Sequence, residues 1–359
     1  MSSPVPPTPA GPWQAVHVFY GASPRPLLVE CVRPLVDELT ADGLLAGHFF
    51  INYWLEGPHV RLRLRPSTED ATEAVRDRAG AAVQAFLRRR PALYEVKAGF
   101  LGDLYNTLFD LEYPGEQREK LLGPDGGMRL RDNNSFSFEE YEPEYGKYGG
   151  MLGVRLAEWH FQYSSDLVIE AVRTMNLHLR TVLLGTAAQL MMVMSCCFLD
   201  GGGDGDGGDD QVIAFLERYH AFWDSSFAQT EFTARRGYDR AYEQMGEGLG
   251  RRFAEIRAAV SAGQHQRLPG FLRGWADHCR ELAGRVGALA ASGALEFSAW
   301  SGGEALVPDG PAQALPWLMS PYMHMTNNRL SVSIRDEAFL AYVLARSLRE
   351  APALPAAER

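Results

Sequence analysis

The segment EGPHVRLRLRP, residues 56–66, carries a histidine and three arginines at every second position. These side chains are His59, Arg61, Arg63 and Arg65. Successive side chains of a β-strand point to opposite faces, so the four share one face. Like charges side by side destabilise a strand unless an anion lies among them, and a guanidinium group binds carboxylate or phosphate well. The pattern therefore indicates either an anion-binding face or the solvated face of an edge strand.

A second group of polar residues lies in YEPEYGKYGG, residues 141–150. Glu144 and Lys147 are close in sequence, and Tyr148 precedes two glycines at the predicted start of a helix. Backbone amides at a helix start can bind an anion. The alternative is a surface ion pair that contributes little to stability.

A third group lies in YMHMTNNRL, residues 322–330, where His324 follows an apolar run and precedes polar Asn328 and Arg329. If the segment is helical, His324 and Asn328 lie one turn apart on one face. A histidine can transfer protons near neutral pH. A lone histidine in an apolar segment is, however, more often a core residue, so both interpretations stay open.

Composition excludes several classes of protein. The 359 residues include 46% hydrophobic and 22% charged residues and carry a net charge of -10, as in an ordinary globular protein. The negative charge argues against a general nucleic-acid surface. The four cysteines lack the spacing of a zinc site or disulfide framework, which predicts reduced, mostly buried thiols in a cytoplasmic protein. No nucleotide-binding loop, nucleophile elbow or zinc-protease motif is present, so we expect no metal and no redox cofactor.

Several segments mark the organisation of the chain. Residues 1–12 are proline-rich and predict a flexible tail rather than a signal peptide, followed by one domain over 13–359. The apolar stretch Val182–Leu199 predicts a buried central helix rather than a membrane span. The low-complexity segment 201–210, GGGDGDGGDD, predicts a flexible acidic loop rather than a calcium site.

Hydrophobic periodicity predicts an α+β fold. Strands at 13–20, 48–55 and 59–65 and a candidate strand at 93–100 alternate with helices that end near Thr40 and Arg90. The turn residues 56–58 predict a hairpin between the second and third strands, and Pro34 predicts a kink in the first helix. This order predicts a ferredoxin-like β-α-β-β-α-β arrangement over 13–100. Residues 101–150 are irregular, with a short alternating segment SFSFEEYE that could add a strand, and 151–359 are mainly helical. The predicted helices are 153–176, 178–199, 211–228, 234–262, 268–291 and 333–349.

The three groups of polar residues follow one another along the chain in the order found in one protein family. The H-x-R-x-R strand, the E-x-x-[RK]-Y-G-G segment and the H-M-x-x-N-R segment resemble the SpaB-type C-terminal domain of class I lantibiotic dehydratases, also called the thiopeptide-type bacteriocin biosynthesis domain. The resemblance extends from the first strand to the last helix. It implies an enzyme that expels glutamate from glutamylated Ser or Thr of a precursor peptide, leaving dehydroalanine or dehydrobutyrine.

The resemblance also assigns roles to residues. Arg61 and Arg63 match the substrate-gripping arginines of the family, Lys147 aligns with an arginine that matters for elimination, and His324 matches a histidine that we assign to proton transfer in either direction. The predicted substrate-binding residues are His59, Glu144, Tyr148, Asn328 and Arg329. Arg65 has no assignable counterpart. Lysine at 147 keeps the charge but loses the planar fork, so a diverged activity stays open.

Two other functions remain as alternatives. The same small fold also serves as a stand-alone pyridine synthase, which joins two dehydroalanines in a formal [4+2] cycloaddition and ejects the leader peptide. A non-catalytic peptide-binding partner of a split dehydratase is the other alternative. The resemblance implies a ribosomal precursor peptide and a glutamylating dehydratase subunit as partners, with no direct nucleic-acid contact. The sequence leaves the oligomeric state open, a homodimer included.

Overall fold

The chain divides into two compact units. A computed structural model describes residues 10–93, 119, 121–123, 128–200, 210–226, 242–243, 246–298 and 304–350. Unit 1 comprises Met1–Glu142 and Gln162–Thr174, and unit 2 comprises Pro143–Phe161 and Met175–Arg359. The predicted tail and acidic glycine loop lie almost wholly outside the described residues, as does the predicted strand at 93–100 apart from its first residue.

Unit 1 is built around an antiparallel sheet. Its strands are β1 (Gln14–Phe19), β2 (Leu45–Tyr53), β3 (His59–Pro66) and β4 (Ser135–Glu139), in the order β2-β3-β1-β4. The predicted hairpin of β2 and β3 is confirmed, with Glu56 and Gly57 in its turn at φ values of 60° and 110°. A positive φ strains most residues, and Gly57 removes that strain at one of the two positions. Strand β4 confirms that the SFSFEEYE segment pairs in the sheet.

Helices cover the apolar face of this sheet. Val60, Leu62 and Leu64 of β3 are buried, as the alternation predicts. The first helical segment runs through α1 (Arg25–Leu27), a π-helical turn (Leu28–Val32) and α2 (Arg33–Ala41), and α3 (Thr72–Arg89) follows β3. Pro34 has no N–H group to donate, and the π-helical turn ends two residues before it. The kink predicted at Pro34 is therefore observed as a π-helical distortion of the helix. The mixed α+β class is therefore confirmed.

Unit 2 is helical. The described α-helices after β4 are α4 (Tyr145–Tyr148), α5 (Gly150–Thr174), α6 (Arg180–Leu199), α7 (Gln211–Ser226), α8 (Gly246–Ser261), α9 (Gly270–Ala291), α10 (Pro311–Leu330) and α11 (Ile334–Glu350). Helix α5 extends through Phe161 in unit 2 and continues from Gln162 in unit 1. Most of these helix bounds lie within three residues of the predicted ones. The helix predicted at 234–262 begins at Gly246 in the described structure, and residues 234–245 lie mostly outside the described part.

Helix α10 was absent from the predicted set of helices. It contains Pro316 and Pro321 in its interior, and prolines weaken a helical pattern because they lack an N–H donor. Burial compensates, since Leu318, Met319 and Tyr322 are fully enclosed. The helix contains the third group of polar residues identified in the sequence. Because the segment is helical, His324 and Asn328 lie one turn apart, as predicted for a helical segment.

Helix α6 lies in the core of unit 2. By length and composition it is the one described helix that could cross a membrane, and 67% of its most apolar window is buried within the protein. It packs against α8, α9, α10 and α11, which confirms the prediction of a buried central helix. The four cysteines are free thiols, and Cys197 alone among them is partly exposed.

Candidate functional site

Arg63 is the most buried cation of the β3 row in unit 1. Its relative exposure is 5%, and its guanidinium group lies 5.3 Å from the ring centre of Tyr141. Its Nε and Nη1 atoms are buried and have no hydrogen-bond partner. Burial, and then the charge of Arg61, lower the pKa of Arg63 to about 10. A buried guanidinium with unused donors is costly, and an anion would satisfy it.

His59 orients Arg61. The His59 Nδ1 atom lies 2.8 Å from the carbonyl oxygen of Gly57, which assigns the proton to Nδ1. The His59 Nε2 atom then accepts a hydrogen bond of 3.1 Å from Arg61 Nε. Burial, followed by the nearby arginines, lowers the pKa of His59 to about 3 against the opposing effect of the Gly57 hydrogen bond. His59 is therefore a neutral acceptor, and the Arg61 guanidinium lies 3.5 Å over the ring centre of Tyr53.

The sheet adds residues to this face that the sequence motifs did not contain. His17 of β1 pairs directly with Arg61 of β3 and with Ser137 of β4. Arg131 Nη2 donates to Ser137 Oγ at 2.8 Å and to Glu139 Oε1 at 3.0 Å. The sequence did contain one indication of this site. His17 is a polar residue among the apolar residues that follow Gln14 in the strand QAVHVF. Arg65, at the end of the row, lies 5.8 Å from the ring centre of Trp13.

The Glu144–Lys147 segment lies in unit 2 and is partly exposed. Lys147 Nζ lies 3.3 Å from both carboxylate oxygens of Glu144, and the two side chains are 39% and 37% exposed. Gly149 adopts a φ of 80° after α4, and a Cβ atom there would lie 3.0 Å from Leu295. Glycine at position 149 is thus required locally by backbone conformation and close packing.

Tyr148 and Arg329 lie in a buried aromatic cluster of unit 2. The Tyr148 ring stacks on Tyr322 with ring centres 6.0 Å apart, and the Arg329 guanidinium lies 4.6 Å from the ring centre of Phe161. Arg329 Nη1 donates to the carbonyl oxygen of Met325 at 2.8 Å. Burial lowers the pKa of Arg329 to about 9. The ring contacts join α10 to α4 and to α5 within the unit. Substrate contact by Tyr148 and Arg329 stays a prediction.

His324 is held by a buried carboxylate. Its Nδ1 atom lies 3.0 Å from Glu337 Oε2, and its side chain is 25% exposed whereas that of Glu337 is 1% exposed. The hydroxyl of Tyr219 donates to the other oxygen of Glu337. Trp223 packs on the imidazole with ring centres 4.9 Å apart. Glu337 assigns the proton to Nδ1 and leaves Nε2 as the proton-accepting atom.

Sequence reasoning missed Glu337, Tyr219 and Trp223. They lie on α11 and α7, so no local spacing connects them to His324 on α10. Asn328 lies one turn beyond His324 and is partly buried. Within the described residues, no group of three or more histidine, cysteine or acidic side chains is arranged to hold a metal ion.

The fold and the two polar clusters define a helix-rich α+β protein with a basic sheet face and a carboxylate-oriented histidine. The model of the lantibiotic biosynthesis dehydratase C-terminal family matches residues 13–348. The chain belongs to this family.

Two solved structures share the fold. The chain is similar to TbtD, the pyridine synthase from thiomuracin biosynthesis, with a TM-score of 0.71 and 20% identity over 94% of this chain and 97% of that chain. It is also similar to TsrL, with a TM-score of 0.67 and 16% identity over 94% of each chain. The tRNA-dependent lantibiotic dehydratase MibB from Microbispora sp. 107891 gives a TM-score of 0.49 and 19% identity over 96% of this chain but 28% of that chain. No curated protein matches the sequence.

Proposed function

We propose that this protein eliminates glutamate from glutamylated Ser or Thr residues of a ribosomal precursor peptide, leaving dehydroalanine or dehydrobutyrine. The observation that carries this proposal is the buried guanidinium of Arg63, which has two donors without a partner on a face shared with Arg61. A glutamyl ester carries one free carboxylate when it binds. The ester group becomes a second carboxylate when glutamate leaves. A guanidinium group is suited to either anion.

The reaction requires a proton acceptor as well as anion binding. A base removes the Cα proton of the glutamylated residue, a Cα–Cβ double bond forms, and the Cβ–O bond breaks as glutamate leaves as a carboxylate. We assign the acceptor role to His324, because the Glu337 carboxylate holds its Nδ1 atom and leaves Nε2 for the transfer. Glu337 touches no reacting atom in this scheme and is a positioning residue. Its negative charge also favours the imidazolium that forms.

Lys147 and Glu144 place a positive and a negative charge in the proposed active site. We assign the Lys147 ammonium to stabilisation of negative charge during elimination, and we assign Glu144 to orienting that ammonium through their 3.3 Å contact. The pair is partly exposed, so its contribution is expected to be smaller than that of Arg63. Asn328 is retained as a substrate-binding residue.

Pyridine formation is the second candidate. The observation in its favour is the full-length similarity of fold to TbtD, which is described as a pyridine synthase. Lysine at position 147 also departs from the arginine expected in the elimination family. Elimination is favoured because a cycloaddition between two dehydroalanines has no evident need for a buried, unpaired guanidinium on a cationic face.

Mass spectrometry with two peptides separates the candidates. Purified protein is incubated with a peptide glutamylated on serine and, separately, with a peptide that already holds two dehydroalanines. Loss of the glutamyl group from the first peptide, abolished by Arg63→Ala, is the expected result. A ring-containing, leader-free product from the second peptide would instead establish pyridine formation. If both peptides are bound but unchanged, the protein is a non-catalytic partner and the enzymatic proposal is wrong.

We infer the same biological setting and topology that the sequence predicted. The protein works in the maturation of a ribosomally made peptide, together with a separate glutamylating dehydratase subunit that supplies its substrate. The sheet order β2-β3-β1-β4, with helices before β2 and after β3, supports a ferredoxin-like arrangement in unit 1. The fourth strand of this order is Ser135–Glu139, whereas the prediction used 93–100. A cytoplasmic location agrees with four free cysteine thiols.

A further inference from the structure

Four buried polar atoms on one face of the unit 1 sheet have no hydrogen-bond partner. They are His17 Nε2, Arg63 Nε, Arg63 Nη1 and, at the end of the β3 row, Arg65 Nε. His17 pairs with Arg61 across the β1–β3 ladder, and Arg63 pairs with Ala15, so His17 and Arg63 are diagonal neighbours on that face. A buried polar atom without a hydrogen-bond partner destabilises the folded protein. Clustering of three such atoms at adjacent positions indicates a place for one ligand group that accepts several hydrogen bonds.

The charges around these atoms indicate an anion. His17 faces Arg61, Arg63 and His59 from β3 and Arg131 from the segment before β4. The acidic side chain of this face is Glu139, which accepts hydrogen bonds from Arg131 and Ser137. A planar carboxylate fits the fork of Arg63 and can also accept a hydrogen bond from an imidazole N–H.

His17 is suited to be a neutral donor to that anion. Burial, followed by the charges of Arg63 and Arg61, lowers the pKa of His17 to about 2. The imidazole therefore adds a hydrogen bond without adding a further positive charge to a face that already carries Arg61, Arg63 and Arg131.

We propose that His17 is a specificity-determining residue of this face, and that His17 Nε2–H and the Arg63 fork together bind the side-chain carboxylate of the glutamyl group. This inference rests on the proposed function for the identity of the group. Arg61, Arg63 and Arg131 repel the α-ammonium group of glutamate. Of the two carboxylates of glutamate, the side-chain carboxylate lies farther from this ammonium group. The face therefore selects a carboxylate at the end of a short aliphatic chain.

Binding of small probes to the full-length protein tests the inference by isothermal titration calorimetry. The probes are glutarate, which has two carboxylates and no ammonium group, L-glutamate, and L-glutamine, which lacks the side-chain carboxylate. We expect glutarate to bind more tightly than glutamate and glutamine not to bind measurably. His17→Phe, which removes the donor but keeps a planar ring, should weaken glutarate binding about tenfold or more, and His17→Gln should restore part of it.

A matched surface variant and an activity measurement complete the test. Arg88→Ala, on the exposed side of α3, should leave glutarate binding unchanged. On the glutamylated peptide the effect of His17→Phe should fall mainly on KM, because the side-chain carboxylate is held equally in the ground state and the transition state. Folding of each variant is checked by circular dichroism and thermal unfolding.

The outcomes separate this inference from the proposed function. If a folded His17→Phe variant binds glutarate within twofold of the wild type, or if the wild type does not bind glutarate, the role of His17 is wrong even where elimination is observed. If glutarate binding depends on His17 but the glutamylated peptide is left unchanged, the carboxylate site stands and elimination is wrong. Equal binding of glutamine and glutarate would also overturn the carboxylate assignment.

Discussion

His324 Nδ1 and Glu337 Oε2 lie 3.0 Å apart, and the carboxylate is almost fully buried. The two residues come from successive helices, α10 and α11, and the second oxygen of Glu337 accepts a hydrogen bond from the Tyr219 hydroxyl. Burial and the neighbouring Glu337 carboxylate raise the pKa of Tyr219 well above its ordinary value, so Tyr219 remains a donor. The imidazole is thereby fixed in position and in tautomer before substrate arrives.

Glu337→Gln should lower kcat for elimination on the order of 10²-fold, because an amide cannot stabilise the imidazolium and can hold the wrong tautomer. Nuclear magnetic resonance of ¹⁵N-labelled histidine should show the His324 proton on Nδ1 in the wild type and a changed distribution in the variant. Glu281→Gln removes an exposed glutamate that pairs with Arg285 and serves as the control. A wild-type rate in a folded Glu337→Gln variant would contradict the positioning role.

His324→Ala should remove measurable elimination while the protein still binds the glutamylated peptide, because the proton acceptor is lost and the anion-binding face of unit 1 is untouched. The measurement is peptide mass spectrometry under single-turnover conditions, combined with a binding titration. An unchanged rate would return His324 to the interpretation of a packed core histidine, supported by its contact with Trp223.

Arg63→Lys should lower kcat/KM by about 10²-fold, although the charge is kept, because lysine cannot form the paired hydrogen bonds of a guanidinium fork. Arg63→Ala should abolish turnover. Arg88→Lys, an exposed substitution on α3, is the control and should retain the wild-type rate. Comparable rates for wild type and Arg63→Lys would show that the fork is not used, and the anion-binding argument for unit 1 would then fail.

Lys147→Met should lower kcat for elimination about tenfold, and Lys147→Arg should retain activity within about threefold. The modest effect is expected because Lys147 is partly exposed and paired with Glu144. Steady-state rates on the glutamylated peptide provide the measurement. If Lys147→Met is fully active, charge at this position contributes nothing to the reaction, and the departure from the family arginine has no catalytic meaning.

The free energy of unfolding should decrease as the pH falls below about 6.5. His160 is fully buried, and burial, then His278 and Arg329, lowers its pKa well below 6.5. Because the unfolded chain takes up a proton that the folded chain excludes, stability is complete above this pH and is lost as the pH decreases. One such histidine contributes a slope of about 1.4 kcal/mol per pH unit.

Urea unfolding at several pH values between about 5 and 8 measures this slope. His160→Gln should reduce it, whereas His178→Asn, on the exposed surface, should leave it at the wild-type value. His278, whose pKa is lowered to about 3 by burial and then by Arg285, adds to the same slope. His59 and His17, whose pKa values burial also lowers, add to it as well. A pH-independent free energy of unfolding would show that His160 takes up its proton in the folded state.

The sequence alone determined the mixed class of the fold, the β2–β3 hairpin and the cationic face of β3. Each follows from a local rule, namely the period of two in a strand, the turn residues at 56–58 and the period of 3.6 in a helix. The same local rules missed α10, because its interior prolines break the expected pattern while burial of its side chains supports the helix.

The groups that accompany the motif residues follow from contacts in the tertiary structure. Strand pairing places His17 beside Arg61, and helix packing places Glu337 and Tyr219 beside His324. A strand pattern states which side chains share a face but not which strand lies next to it, and a helical pattern gives no information on a carboxylate from another helix. The kinds of residue in the candidate site could therefore be predicted from the sequence. Their partners, burial and proton positions depend on contacts between distant segments of the chain.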